Sequence, residues 1–467
     1  MLKHRKLSQK SGLCCPWSQD KTLSLCSLRP HTNLERLKTG AVIRRLCTTS
    51  MAGISLTGPD IRQHIGNVLF TLLILVIMLD PTNTVLHLKD VFFVLLVGYN
   101  MVCFRPDWHY LPHIAAVFGT VTMGYLVAEV QQNAVDMEKL LAIYKSVSPL
   151  VLLLWIKYYD VLRLSLIPAV LTSLLVIVLY VVASVSEVFE YELYTFFSAH
   201  NDMVMMTRRS FLGFPVFGMY YKSLVSLSFA MFFVFYKTVH SGGRALRLFC
   251  LLLSVFFFVA FLMSGTRGTM LLPFFMVAVV FCFSLKRMGK FRYLVYPLLV
   301  FYALFVLGVV LLLASEADEV SNSIKYAHIA SYVKLFSEHP WYLLTGQGAA
   351  TSFYTEGMRR MVTETEWSYI ELLRCYGLFS LLVMGVLLYP LKNLWAQARG
   401  DDFMAGVLAT YVVYLLVAGT NPLLLSSTGM IMIWVVYSQR VNRPTVSKSL
   451  GSGDAPSGQS VPTCGSI

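Results

Sequence analysis

Apolar runs recur along the chain, separated by mostly short polar loops. Runs of about 15 to 22 residues match the length a helix needs to cross a hydrocarbon core. They predict helices near residues 64–80, 91–104, 111–129, 140–156, 164–185, 223–236, 246–264, 269–285, 293–314, 375–391, 403–420 and 424–438. The pattern is that of an all-α polytopic membrane protein with about twelve transmembrane helices. One polar insert interrupts it at residues 315–374, between the ninth and tenth runs. The bilayer explains apolar spans without reference to activity, so the insert is the first place to look for function.

Basic residues alternate from loop to loop. Arg105, then Lys157 and Arg163, then Lys237, Arg244 and Arg247 fall in successive alternate loops. The series continues with Lys286, Arg287, Lys290 and Arg292, then Lys392 and Arg399, then Arg440 and Arg443. Loops rich in Lys and Arg stay on the cytoplasmic side. Twelve spans with both termini inside satisfy the series. The chain then divides into a basic segment 1–63, helices across 64–314 with an outer loop at 186–222, the large outer loop 315–374, helices across 375–438, and a tail 439–467. Within the large loop, Ile324, Ala327, Ile329, Tyr332, Val333 and Phe336 recur at near-helical spacing. They predict a helix lying along the membrane surface.

Composition agrees with lipid residence. Hydrophobic residues make up 56% and charged residues 13% of the chain, about half the charged share of a soluble domain. The net charge of +13 sits largely in the N-terminal segment and the inner loops, so it does not indicate nucleic acid. The nine cysteines have no metal-ligand spacing and read as reduced structural residues. Residues 1–50 are basic, rich in Ser and Cys, and lack the apolar core of a signal peptide. They read as a disordered cytoplasmic arm or as sequence ahead of a true start at Met51. The Ser/Gly/Pro-rich tail is expected to be disordered. No fixed-period repeat and no clear symmetry between halves is visible.

Candidate chemistry concentrates at the outer connections. In the turn SGTRG, Arg267 sits between glycines that allow close backbone approach. A guanidinium there suits a phosphate or diphosphate, the alternative being a topology anchor. Arg208 and Arg209 in the first outer loop are candidates for the same anion or for lipid headgroups. His339 and Pro340 open a stretch in which Gly346 and Gly348 form a turn whose backbone N–H groups could face an anion. The densest stretch carries Arg359, Arg360, Glu364, Glu366, Glu371 and Arg374. Thr363 and Glu366 fit a capping box for a helix starting near Thr365. Glu371 and Arg374 read as substrate contacts or as a helix-surface ion pair. Glu366 is the candidate general base, since a carboxylate at an apolar boundary can have its pKa raised by desolvation. Asn421 is a turn residue or a sugar contact.

These residues resemble those of bacterial O-antigen polymerases of the Wzy type, and more widely the polymerase and ligase group for surface polysaccharides. The resemblance rests on the SGTRG turn after a long apolar run, HPWYLLTGQG opening the large loop, TETEWSYIELLRCYGLFSLLVMG leading into the next span, and NPLLLSSTGM near the end. It covers the layout of residues 60 to 440, and its motifs are short. It implies a GT-C-like, all-helical membrane glycosyltransferase in the bacterial inner membrane, using no metal and no other cofactor. The implied substrate is an oligosaccharide repeat unit on undecaprenyl diphosphate, in contact with membrane lipid, and a chain-length regulator is an implied partner. Glu366, His339 and Arg267 are then the expected catalytic residues. Arg208, Arg209, Arg359, Arg360, Gly346, Gly348, Glu371 and Arg374 are the expected substrate contacts. Ligases of the group place a His late in the large loop, where this chain has Glu364 and Glu366, which favours a polymerase. A ligase and a transporter or flippase for lipid-linked sugars remain the alternatives. A transporter would keep ionisable residues within its spans, whereas here they cluster in outer loops.

Overall fold

The computed structural model describes residues 58–200, 203–211, 214–284, 300, 304, 308 and 320–441. The expected helix 293–314 apart from residues 300, 304 and 308, the basic segment up to residue 57 and the tail from residue 442 lie outside the described residues. The chain is a mostly helical membrane protein. Among the described residues, six helical segments are long and apolar enough to cross a membrane, judged by length and composition. They are Ile61–Leu79, Trp108–Val130, Met137–Tyr158, Val161–Val185, Arg244–Leu262 and Ser368–Ala398.

In chain order the first helices are α1 (Gly58–Leu79), α2 (Lys89–Cys103), α3 (Leu111–Val130) and α4 (Met137–Val147). Asp136 caps α4 by accepting the Lys139 N–H. The single helix expected over 140–156 is in fact α4 followed by a 3-10 segment, Ser148–Tyr158. Pro149, at the start of that segment, has no N–H to donate to the preceding turn. Next come α5 (Val161–Leu164), α6 (Leu166–Val185) and α7 (Glu187–Ala199). An antiparallel hairpin follows, β1 (Val204–Phe211) with β2 (Phe214–Tyr221), in which Arg208 faces Phe217 across the ladder. After it run α8 (Ser228–His240), α9 (Arg244–Leu262) and α10 (Arg267–Ser284).

The large insert contains α11 (Val320–Glu338), α12 (Tyr342–Thr345) and a short hairpin of β3 (Phe353–Thr355) and β4 (Arg360–Val362). It leads into α13 (Ser368–Tyr376), which Gly377 separates from α14 (Ser380–Ala398) by adopting a left-handed φ of 54°. The last helices are α15 (Asp402–Ala418) and α16 (Ser427–Val441).

Helix α16 is the centre of the bundle. Every residue from Met430 to Gln439 is buried, as expected of a helix apolar on all sides. Trp434 packs edge-on against Phe70 at 5.2 Å and donates to the Pro149 carbonyl at 3.1 Å. Tyr437 donates to the Val386 carbonyl at 2.9 Å. By contrast, α2 and α9 leave Val91, Val94, Leu95, Leu248, Phe249 and Leu252 exposed. Apolar side chains turned outward along such helices are suited to lipid rather than water.

Several connections meet at one end of the bundle. Val135 bridges Thr351, and the Asp136 N–H donates to the Ala350 carbonyl at 3.1 Å. Ser368 N–H donates to the Gly419 carbonyl at 3.1 Å. The Met219 N–H of β2 donates to the Met263 carbonyl at 2.9 Å, beside the SGTRG turn. Gly265 in that turn has a φ of 62° and lies directly on Gly218 of β2, where a Cβ on Gly218 would come within 2.6 Å of the Gly265 Cα. The close approach expected of that glycine is therefore made to the hairpin backbone.

Candidate functional site

A cavity of about 2170 Å3 opens among these connections. Its wall draws on the loop after α1, on α4, on the β1–β2 hairpin, on α11, on the segment 358–376 and on residues 421–428. The polar insert and the shorter loops on the same side thus contribute to a single site.

The insert is locked by Arg374, which is completely buried. Its Nη2 meets Glu371 Oε1 at 2.5 Å and donates to the Thr363 carbonyl at 3.0 Å. Its Nη1 donates to Gln347 Oε1 at 2.6 Å and Thr351 Oγ1 at 3.1 Å, and the guanidinium lies 4.6 Å from the Phe353 ring centre. Tyr332 of α11 donates to Glu371 Oε2 and shares a 2.7 Å hydrogen bond with Thr365. Burial pushes the Tyr332 phenol above its ordinary range, and the Glu371 carboxylate adds to this. The expected surface ion pair of Glu371 and Arg374 is therefore a buried pair. It joins α11, α13 and the glycine turn, and Arg374 has no face open to a substrate.

The glycine turn is also occupied by protein. Gly346 and Gly348 have φ of 80° and 115° and pack on the Cys375 backbone and on Ala128. The N–H groups of residues 346 to 349 donate to the carbonyls of Tyr342, Arg374, Cys375 and Gly124. The N–H groups expected to face an anion are spent on the fold. The capping box is absent as well: α13 begins at Ser368, and the Glu366 carbonyl accepts the Ser368 N–H at 3.1 Å. The buried face of α11 is formed by His328, Ser331 and Tyr332, while Val333 is 61% exposed on the opposite side.

Glu366 lines the cavity and pairs with Lys325 at 2.9 Å. Arg360 lines it too, whereas Arg359 is exposed beside the wall with a φ of 51°. Arg208 lines the far wall and pairs with Glu190 at 2.6 Å, and Arg209 is the next residue of β1. Arg267 is the first residue of α10. His339 stays outside the cavity wall and packs its ring against Tyr342 at 5.0 Å and Trp341 at 5.4 Å. The structure thus brings Glu366, Glu371, Arg360 and Arg208 to one cavity and leaves His339 apart. Trp341 and Tyr354 are exposed, while Tyr342 is buried.

Sequence reasoning missed His328, Tyr220, Lys89, Lys139, Lys145 and Lys222, all of which line the cavity. His328 is 4% exposed, and neither ring nitrogen has a hydrogen-bond partner among the described residues. Burial pushes its imidazole below the ordinary histidine range, while Glu366 and Glu371 act to raise it. The buried hydroxyl of Tyr220 likewise lacks a partner among the described residues, and burial, followed by the Glu366 charge, pushes it up. Lys139 pairs with Glu364 at 2.6 Å. Burial lowers the Lys89 amine, partly offset by Asp90 and Asp80, and Lys145 lowers it further. Nothing in the sequence marked these residues, because a lone His, Tyr or Lys becomes part of a site only when distant segments meet.

The wall therefore offers a half-exposed carboxylate, an imidazole held towards its neutral form, and several cations. That set can accept a proton from a hydroxyl and hold an anionic group. Among the described residues no cluster of His, Cys, Asp or Glu has metal-binding geometry. No protein-family model, curated protein or solved structure matches the chain.

Proposed function

We propose that the protein is a membrane glycosyltransferase that polymerises oligosaccharide repeat units carried on undecaprenyl diphosphate, producing O-antigen or exopolysaccharide. In this reading it crosses the bacterial inner membrane twelve times in a GT-C-like arrangement. Both termini are cytoplasmic and the cavity faces outward. The observation that carries the reading is the cavity itself, which sets Glu366 among cations at one end of an apolar helical bundle. The sequence resemblance gives the substrate class.

The chemistry follows from the groups present. The glycosidic C–O bond to the diphosphate breaks, and the electron pair leaves with the phosphate oxygen. An acceptor hydroxyl at the non-reducing end of the next unit forms the new C–O bond and gives its proton to Glu366. The leaving diphosphate carries several negative charges, which cations on the outer side stabilise as the bond lengthens. Exposed Trp341 and Tyr354 offer flat apolar faces for sugar rings.

Deleting the gene tests this reading by product length. A strain lacking a polymerase still makes, exports and attaches one repeat unit, so its surface product carries a single unit. Polymer retained on the lipid carrier would indicate a ligase instead. Units retained on the inner face would indicate a flippase.

A further inference from the structure

Lys89, the first residue of α2, is 5% exposed and donates to Ser427 Oγ at 3.0 Å. Ser427 is the first residue of α16. An ammonium group has three donors, and Ser427 takes one. No carboxylate lies within ion-pair distance of Lys89 among the described residues. The nearby acids are engaged elsewhere: Asp80 accepts N–H groups from Thr84, Val85 and Leu86 at 3.1, 2.9 and 2.6 Å, and Asp90 accepts from Asn83 at 3.2 Å. A buried cation without a counter-charge is costly unless a ligand supplies one.

The surroundings deepen that deficit. The N-termini of α2 and α16 meet at the Lys89–Ser427 bond, and helix N-termini carry partial positive charge. Lys145 of α4 lines the same cavity, is exposed, and has no ion-pair partner among the described residues. Two lysines and two helix ends thus face one cavity, with neither Asp80 nor Asp90 in ion-pair contact with Lys89, an arrangement suited to phosphate oxygens. One turn before Lys145, Leu141 lines the cavity while 55% exposed, and Val94 on α2 is 66% exposed. A ligand whose anion met the two lysines could lay an apolar chain along these residues.

We propose that Lys89 and Lys145 form a phosphate subsite for a polyprenyl-linked ligand that enters from the lipid side. This rests on the proposed function for the identity of the carrier, while the binding itself does not require polymerisation. The subsite is distinct in sequence from Arg267 and from the insert.

The test is binding by the full-length protein in lipid nanodiscs, with undecaprenyl diphosphate and inorganic pyrophosphate as probes. The wild type is expected to hold the lipid diphosphate. Lys89→Met and Lys145→Met should each weaken binding about tenfold or more, the loss of one charge-assisted contact. Lys157→Met, in the 3-10 segment after α4, should bind as the wild type does. Lys145 is exposed, so its variant keeps the test valid should Lys89→Met fail to fold. Unchanged affinity in Lys145→Met would overturn the subsite. Pyrophosphate competing mole for mole with the lipid form would overturn the lipid-side entry. Loss of binding in both variants, with a wild type that makes no polymer, would leave the subsite standing and remove the polymerase reading.

Discussion

Arg374 Nη2 and Glu371 Oε1 lie 2.5 Å apart, and the arginine side chain is fully enclosed. Removing one partner of such a pair leaves a buried charge without compensation, at a cost of about 3–5 kcal/mol. Arg374→Leu should therefore destabilise the insert and lower the thermal unfolding temperature of the purified protein. The double variant Arg374→Leu/Glu371→Leu should recover part of the loss, because no lone charge remains. A single variant that unfolds with the wild type would show that the pair does not hold the insert.

His328 gives stability a specific pH dependence. Its imidazole is held below the ordinary value near 6.5 by burial. As pH falls through the unfolded-state value, the unfolded chain takes up the proton first, so stability declines towards the folded-state value. Above about 6.5 both states are neutral at this residue and the contribution is flat. His328→Gln should remove this acid-side loss. The check is thermal unfolding between pH 7 and pH 5, where the variant's curve should be flatter than that of the wild type.

The apolar pattern predicted the helical segments well because each span is a local property of about twenty residues. Helices occupy eleven of the twelve expected segments, six helical segments among the described residues are long and apolar enough to cross a membrane, and of the twelfth expected segment only residues 300, 304 and 308 are described. What local pattern could not supply was depth. Glu371 and Arg374 have the same i,i+3 spacing whether they face water or core, and burial here comes from Gln347, Thr351 and Phe353 in the preceding loop. The glycine turn misled for a similar reason, since its free N–H groups are taken by the distant carbonyls of Gly124 and Cys375. Lys89 lies just before the expected span 91–104, and nothing local shows that Ser427, 338 residues later, closes over it.

Orientation is open to direct measurement. In the proposed topology the insert lies outside the cytoplasm. A reporter that is active only after export should work when fused near Thr355 and stay silent when fused near Arg287. The reverse pattern would invert the proposed topology and move the cavity to the cytoplasmic face.

Bond formation by Glu366 is the central claim, and a reconstituted reaction tests it most directly. Purified protein supplied with a lipid-linked repeat unit, and with neither nucleotide nor added metal, should yield a ladder of products differing by one unit. Glu366→Gln keeps the shape of the side chain but removes the base, so it should lose the ladder by a factor of about 100 or more while still binding substrate. A wild type that makes no ladder, yet moves the same lipid-linked sugar across vesicles, would contradict the account and establish transport in its place.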